Sequence, residues 1–348
     1  LQYSGAIWYP MVYEMPDDEK RALCEAKVDS QFARAMKYVE SIDARAVVPT
    51  AGPPAFLDDD LWHLNMIRGD ELSIFPDQRS FLARLAESGR RGELAIPGTQ
   101  FDINPEGIDV THPIPDDEVQ AIFEDKEAYL RDYQADWIPW LDNMKAGWPD
   151  ATSDLLSTLS AWWEPLLRMA PTLCNAVGAN CLFRAGDLEI VIDFPNAQVR
   201  AYDGEPYSFR FDVPRPLVEQ VTAERAVDWS NSLFLSCRWT GWRDGDFNEY
   251  LYNFFKSLSV ERMRRTEAEA IRKLNPPTET EPEIELGGYV VQRRCPHRNA
   301  DLTVFGEIEP GDDGDLLVCT LHGWKFDCGS GRCLTSNDHP LKIRPSDS

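Results

Sequence analysis

The chain has 348 residues, enough for two or three domains, and its 43% hydrophobic content with 11 Trp, 11 Tyr and 16 Phe excludes a disordered polymer. Its 59 acidic and 35 basic residues give a formal charge of −24, a surface that repels nucleic acid and anionic membranes and suits a basic partner. No apolar run approaches the ~20 residues needed to cross a bilayer, and no signal peptide is recognisable, so a cytoplasmic location is expected.

The chain opens on Leu1-Gln2-Tyr3-Ser4-Gly5 without an initiator Met and reads as the C-terminal portion of a longer polypeptide. Residues 16 to 41 predict a helix: Pro16-Asp17-Asp18-Glu19 is a proline-led acidic start, and Val28, Phe32, Met36 and Val39 recur at helical spacing. Ala46-Val47-Val48-Pro49 predicts a short buried strand running into a turn-rich loop, Thr50 to Asp58, so the opening is expected to be an α/β fragment. Residues 113 to 171 predict helices rich in tryptophan. Leu188 to Ile192, Ala197 to Tyr202 and Ser208 to Val213 then predict strands of an antiparallel meander, with turns at Pro195-Asn196 and Asp203-Gly204. A helix near Arg215–Arg225, an aromatic helical run from Trp229 to Phe255 and a charged helix from Glu261 to Lys273 complete an α+β middle section. Residues 275–283, rich in Pro and Glu, are the expected linker. Tyr289-Val290-Val291 predicts a strand, and Gly306 to Asp315 a surface turn.

Two short motifs in the last segment carry chemistry: Cys295-Pro296-His297 and Cys319-Thr320-Leu321-His322. Each places a thiolate and an imidazole on one tight loop. Together they supply two sulfur and two nitrogen donors, the set a [2Fe–2S] centre needs when histidines replace cysteines on one iron, with Cys295 and Cys319 on one iron and His297 and His322 on the other. Zinc is the rival for such a quartet, but structural zinc sites usually pair like ligands as C-x₂₋₄-C and H-x₃₋₅-H, whereas each half here is mixed. Asn299 and Gly323 sit where a loop folding over a cluster needs positive φ. The other cysteines lie in unrelated contexts as buried thiols, and Cys328 and Cys333, flanking Gly329-Ser330-Gly331-Arg332 on a hairpin, could pair as a disulfide but in a reducing compartment are expected as two thiols beneath the cluster. His63, His112 and His339 are scattered and expected to be ordinary surface or loop residues.

Cys295 to Leu302 and Cys319 to Asp327 resemble the two ligand loops of a Rieske domain, closer to the oxygenase and ferredoxin type than to the respiratory type. The extra cysteines of respiratory loops are absent, Leu321 standing at one of their places, and Trp324 and Phe326 replace the hydroxyls that hydrogen-bond a cluster sulfur. That resemblance implies a potential near the low end of the Rieske range, about −150 mV. The stretch Ser4 to Met11, the helix after it and Val48 to Pro53 resemble the C-terminal half of a metallo-β-lactamase-like domain, similar to the CMP-N-acetylneuraminate hydroxylase family. The middle stretch from Asp228-Trp229 to Phe254-Phe255 is loosely similar too. The order differs from that family, the Rieske domain being C-terminal here. The HxHxDH metal motif of such domains is absent and would precede Leu1, and Ala51-Gly52 occupies a position where many relatives carry a metal-binding histidine. No catalytic residue is therefore assigned.

The expected architecture is α+β and multidomain: residues 1–112 as the C-terminal part of a metallo-β-lactamase-like α/β region, 113–274 as an α+β middle domain, 275–283 as a linker and 284–348 as a small antiparallel-β Rieske domain. The expected function is an iron–sulfur oxidoreductase relaying electrons from a ferredoxin- or reductase-type donor to a second, non-haem metal bound mainly by upstream residues, for hydroxylation of a small-molecule substrate. The alternatives are a non-catalytic electron carrier or redox sensor, and a hydrolase regulated by its cluster.

Overall fold

The computed structural model describes residues 1–346 apart from 6, 67–71, 106, 275–281, 298, 313, 322 and 336–338, so most of the expected linker lies outside the described residues. Mixed α+β structure is built on three apolar cores.

Helix α1 (Asp17–Ile42) begins after Pro16 with Asp17, Asp18 and Glu19 in its first turn, where acids complement the exposed N–H groups, and stops at Asp43 in the left-handed region. Its buried Ala35, Met36 and Val39 pack with Tyr3, Phe81 and Leu85, the last two on α2 (Gln78–Glu87). The strand expected at Ala46–Pro49 does not form as a ladder. Val47 makes one parallel bridge to Gly92 and Thr50 another to Gln2. Pro49 has no N–H to donate, and Pro53 and Pro54 follow closely, so pairing cannot propagate. A hairpin, β1 (Gln100–Ile103) and β2 (Ile108–Thr111), precedes helices α3 (Asp116–Glu124), α4 (Lys126–Ala146), α5 (Leu155–Met169) and α6 (Pro171–Val177).

The central sheet contains β3 (Asn180–Ala185), β4 (Leu188–Asp193), β5 (Gln198–Ala201), β6 (Phe209–Val213) and β7 (Thr240–Arg243) in the order β5-β4-β3-β6-β7. Strands β4 and β5 pair antiparallel as expected, with β3, not among the predicted strands, antiparallel on the other side of β4, but β6 does not extend this meander. It crosses to the far side of β3 and pairs parallel, Cys181 opposite Phe209 and Ala185 opposite Val213. Alternation along a strand tells which face is buried, not the direction of its neighbour. Seven residues, 202 to 208, suffice for the crossing, since an extended chain reaches about 3.3–3.6 Å per residue.

The aromatic run from Trp229 to Phe255 is likewise not one helical stretch. It divides into α8 (Trp229–Ser232), a turn closed by Cys237 in the left-handed region, strand β7, and α9 (Glu249–Phe255). Burial decides this. Trp163 of α5 meets Trp229 at 5.0 Å between ring centroids, and Phe183, Phe254 and Phe255 surround them, all fully buried. Helices α7 (Arg215–Ala223) and α10 (Val260–Leu274) flank this core, and the buried Glu267 of α10 accepts from the Thr172 and Leu173 N–H groups at the start of α6.

Strand β7 also holds the amino end of the chain. Gly241 donates to the Val12 carbonyl at 2.7 Å and accepts from the Glu14 N–H at 2.9 Å. A Cβ at Gly241 would lie 2.9 Å from the Trp239 ring and 3.1 Å from Tyr13, so glycine permits the approach. One core consequently runs from Met11 through Phe75 to Ala270.

The C-terminal part is two small antiparallel sheets. One contains β8 (Ile284–Leu286), β9 (Tyr289–Val291) and β13 (Ile343–Pro345). The other contains β10 (Gly306–Gly311), β11 (Gly314–Cys319) and β12 (Trp324–Asp327). The stretch read as a surface turn, Gly306 to Asp315, is mostly strand: its register runs from Gly306 opposite Cys319 to Gly311 opposite Gly314, leaving only the tip as turn. A short helix, α11 (Leu302–Phe305), precedes β10, and Ala268 of α10 packs against the core shared by both sheets.

Candidate metal centre

The two motif loops are built alike. Cys295 lies just beyond the Arg294–Asp301 bridge, and Cys319 ends β11, paired with Trp324 at the start of β12. In the first loop the N–H of Asn299, four residues on, donates to the Cys295 carbonyl at 2.8 Å; in the second Gly323 does the same to Cys319 at 2.8 Å. Both closing residues are left-handed, Asn299 at φ 53° and Gly323 at φ 71°, as their place in the sequence predicted. The loops are tied to each other through α11, whose Phe305 carbonyl accepts from the Thr320 N–H at 2.8 Å and hydroxyl at 3.2 Å.

Electrostatics fix the first loop. Asp301 accepts from Arg293 through two nitrogens, at 2.8 and 3.1 Å, and from the Thr303 N–H and hydroxyl. Burial opposes its charge, but the hydrogen bonds from Arg293 and Thr303 outweigh that and hold its pKa below the ordinary carboxylate value.

Cys295 and Cys319 are both buried in the same apolar cluster, with Leu302, Leu317, Leu321 and Phe326. The His297 ring lies 3.9 Å from that of Trp324, nearly parallel at 7°. His322 lies outside the described residues. Among the described residues no three metal-ligating side chains converge, so the donor set rests on loop geometry and residue type. On those grounds it fits a mixed-ligand cluster: two thiols in an apolar base, the His297 imidazole on the first loop and a second histidine in the sequence of the other.

Cys328 and Cys333 lie in the same cluster without a disulfide, on a turn where Phe326 bridges Cys333; burial pushes the Cys328 thiol up to about 11. His63 and His112 lie on other parts of the chain, the latter bonded to Thr99 at 2.9 Å. His339 lies in a loop, as expected, and is partly buried. Its ring meets the edge of Trp324 at 5.3 Å, and its buried Nδ1 has no hydrogen-bond partner among the described residues. Sequence reading missed the Trp324 contact because no ligand spacing links His339 to either motif.

Residues 283–343 match the family model of the Rieske [2Fe–2S] domain. The chain carries a C-terminal Rieske domain. Upstream of it, residues 155–272 match an Rv3818-like, SCP2-like domain. A relative from Mycobacterium tuberculosis H37Rv, provisionally named Rieske 2Fe-2S iron-sulfur protein Rv3818, is 41% identical over 350 residues, covering 98% of this chain and 66% of the relative. One from Mycolicibacterium smegmatis is 41% identical over 356 residues, covering 99% and 66%. The chain is thus a homologue of the Rv3818-like Rieske proteins and spans 66% of the length of those it matches. A further match, 53% identical over 53 residues, covers 15% of this chain and 12% of the 4beta-methylsterol monooxygenase of Methylococcus capsulatus. No solved structure matches. These relationships do not support the metallo-β-lactamase-like reading of the N-terminal region or the likeness to sialate hydroxylases; within the middle section, residues 155–272 are SCP2-like. Among the described residues no helix is long and apolar enough to cross a membrane.

Proposed function

We propose that this chain is the electron-relaying part of an oxidoreductase, with Cys295, His297, Cys319 and His322 holding a Rieske-type [2Fe–2S] cluster. When bound, such a cluster accepts and returns one electron at a time. The chain's own residues set its surroundings. The closures at Asn299 and Gly323 shape the two loops, Trp324 keeps the His297 ring in one plane, and the apolar base under Cys295 and Cys319 keeps water from the sulfurs. Trp324 and Phe326 offer no hydroxyl to a sulfur, which supports a potential near −150 mV, the low end of the Rieske range.

The observation that carries this reading is the pair of matched cysteine–histidine loops. The likeness of a 53-residue stretch to part of a sterol monooxygenase supports oxygenase-type rather than respiratory use, with electrons passing from a ferredoxin- or reductase-type donor to a non-haem metal bound mainly by upstream residues and hydroxylation of a small molecule as the outcome. The strongly acidic surface suits a donor with a basic face, and eight cysteines without a disulfide suit the cytoplasm.

Paramagnetic resonance of the dithionite-reduced protein is the test. A rhombic signal averaging about 1.9 in g is expected from mixed ligation. Colourless protein, or protein that binds only zinc, would end the proposal. Substrate-dependent oxygen uptake separates the hydroxylase reading from a plain carrier, which would reoxidise only with a protein partner.

A further inference from the structure

A cavity of about 800 Å³ opens where the N-terminal segment meets the ends of β3, β6 and β7, a volume typical of small-molecule sites. Its walls include three rings, Tyr13, Trp148 and Trp239, with Leu61, Leu64 and Val213 between them. Three of the four Lys and Arg residues lining it are committed. Lys145 and Arg238 both pair with Asp58, and Arg184 pairs with Glu189 and Asp212. Lys20 differs. Its half-buried ammonium donates to the Met11 carbonyl at 3.3 Å, and among the described residues no carboxylate pairs with it.

An ammonium has three donors, and one is used here. The lining carboxylates Glu14, Asp58 and Asp212 are each paired with an arginine, which leaves the remaining Lys20 donors to a guest. The ring faces favour an aromatic or fused-ring guest, since offset and edge-on ring contacts add to area burial. A single acidic group on that guest would give Lys20 its charge-assisted hydrogen bond.

We propose that this cavity binds a compact, ring-bearing organic monoanion, its ring against Tyr13, Trp148 and Trp239 and its charged group on Lys20. The site is separate from the redox reading, because no residue of either motif loop lines it.

Calorimetric titration of the full chain with anilinonaphthalene sulfonate, and with its uncharged analogue phenylnaphthylamine, tests this. The sulfonate is expected to fill one saturable site. Lys20→Met should weaken the sulfonate about tenfold and leave the amine unchanged, and Trp148→Ala should weaken both. Lys20→Gln serves if the Met variant fails to fold. Cys295→Ser should bind both probes as the parent does, so failure of the cluster assignment leaves this result standing. Non-saturable binding, an equal effect of the Lys20 changes on both probes or on neither, or full affinity in Trp148→Ala would overturn the proposal.

Discussion

Replacing Gly323 by Ala isolates what the left-handed closure contributes to the second motif loop. At φ 71° a residue with a Cβ pays about 1–2 kcal/mol, whereas an alanine restricts the unfolded chain and returns about 0.4–1 kcal/mol. Among the described residues no heavy atom stands within 4 Å of the new Cβ, so no collision adds to the sum. The net is a destabilisation centred on about 0.8 kcal/mol, within limits of about 0 to 1.6. For a cooperative unit the size of the Rieske domain, that lowers the melting temperature by about 5 °C. Asn299→Gly probes the matching turn with opposite sign. It relieves the left-handed asparagine but loosens the unfolded chain, so stability should stay within about 0.5 kcal/mol of the parent. Both variants should be melted as the full chain, followed by near-ultraviolet dichroism, with iron quantified beforehand. An unchanged melting temperature in Gly323→Ala, or a loss above about 3 kcal/mol, would show that turn geometry is not what that position supplies.

His297→Cys should shift the visible spectrum and lower the potential, because a thiolate adds negative charge at that iron; an unaltered spectrum would remove His297 from the ligand set. Trp163→Ala empties a fully buried site ringed by Trp229, Phe183, Phe254 and Phe255 and should cost about 3–5 kcal/mol in urea unfolding. A loss under about 1 kcal/mol would mean that the core closes over the gap. For Asp58, burial opposes the charge, but hydrogen bonds from Lys145 and Arg238 prevail and hold the pKa below the ordinary carboxylate value. A depressed carboxylate contributes stability above its unfolded pKa and loses it as pH falls through the folded value. Asp58→Asn should therefore flatten the decline in stability below about pH 4, by about 1 kcal/mol after solvent screening; an acid limb as steep as the parent's would contradict the assignment.

The sequence was readable where local rules decide the outcome. The first helix is set by a proline-led acidic start and a four-residue apolar rhythm, and the turns at Asn299 and Gly323 by the few residues that tolerate positive φ. It was opaque where partners distant along the chain decide. Nothing in Phe209 to Val213 says that its neighbour is parallel, since Phe209, Phe211 and Val213 would be buried either way. Gly241 looks like a helix interruption until Tyr13 and Trp239 are seen against it. His339 meets Trp324 through a fold contact that no spacing encodes. Residues 155–272 offer no short motif to read, their SCP2-like relationship being spread along the whole stretch, and the cavity beside Lys20 is lined by segments more than two hundred positions apart.

The clasp between Val12–Glu14 and Gly241 has a practical corollary. It occupies backbone donors and acceptors along a border of the central sheet that would otherwise be open to any passing extended chain. Trimming residues 1–14 to obtain a smaller specimen would bare that border and leave Trp239 without its cover. The shortened molecule should then stick to itself in proportion to its concentration, a nuisance easily mistaken for natural oligomerisation.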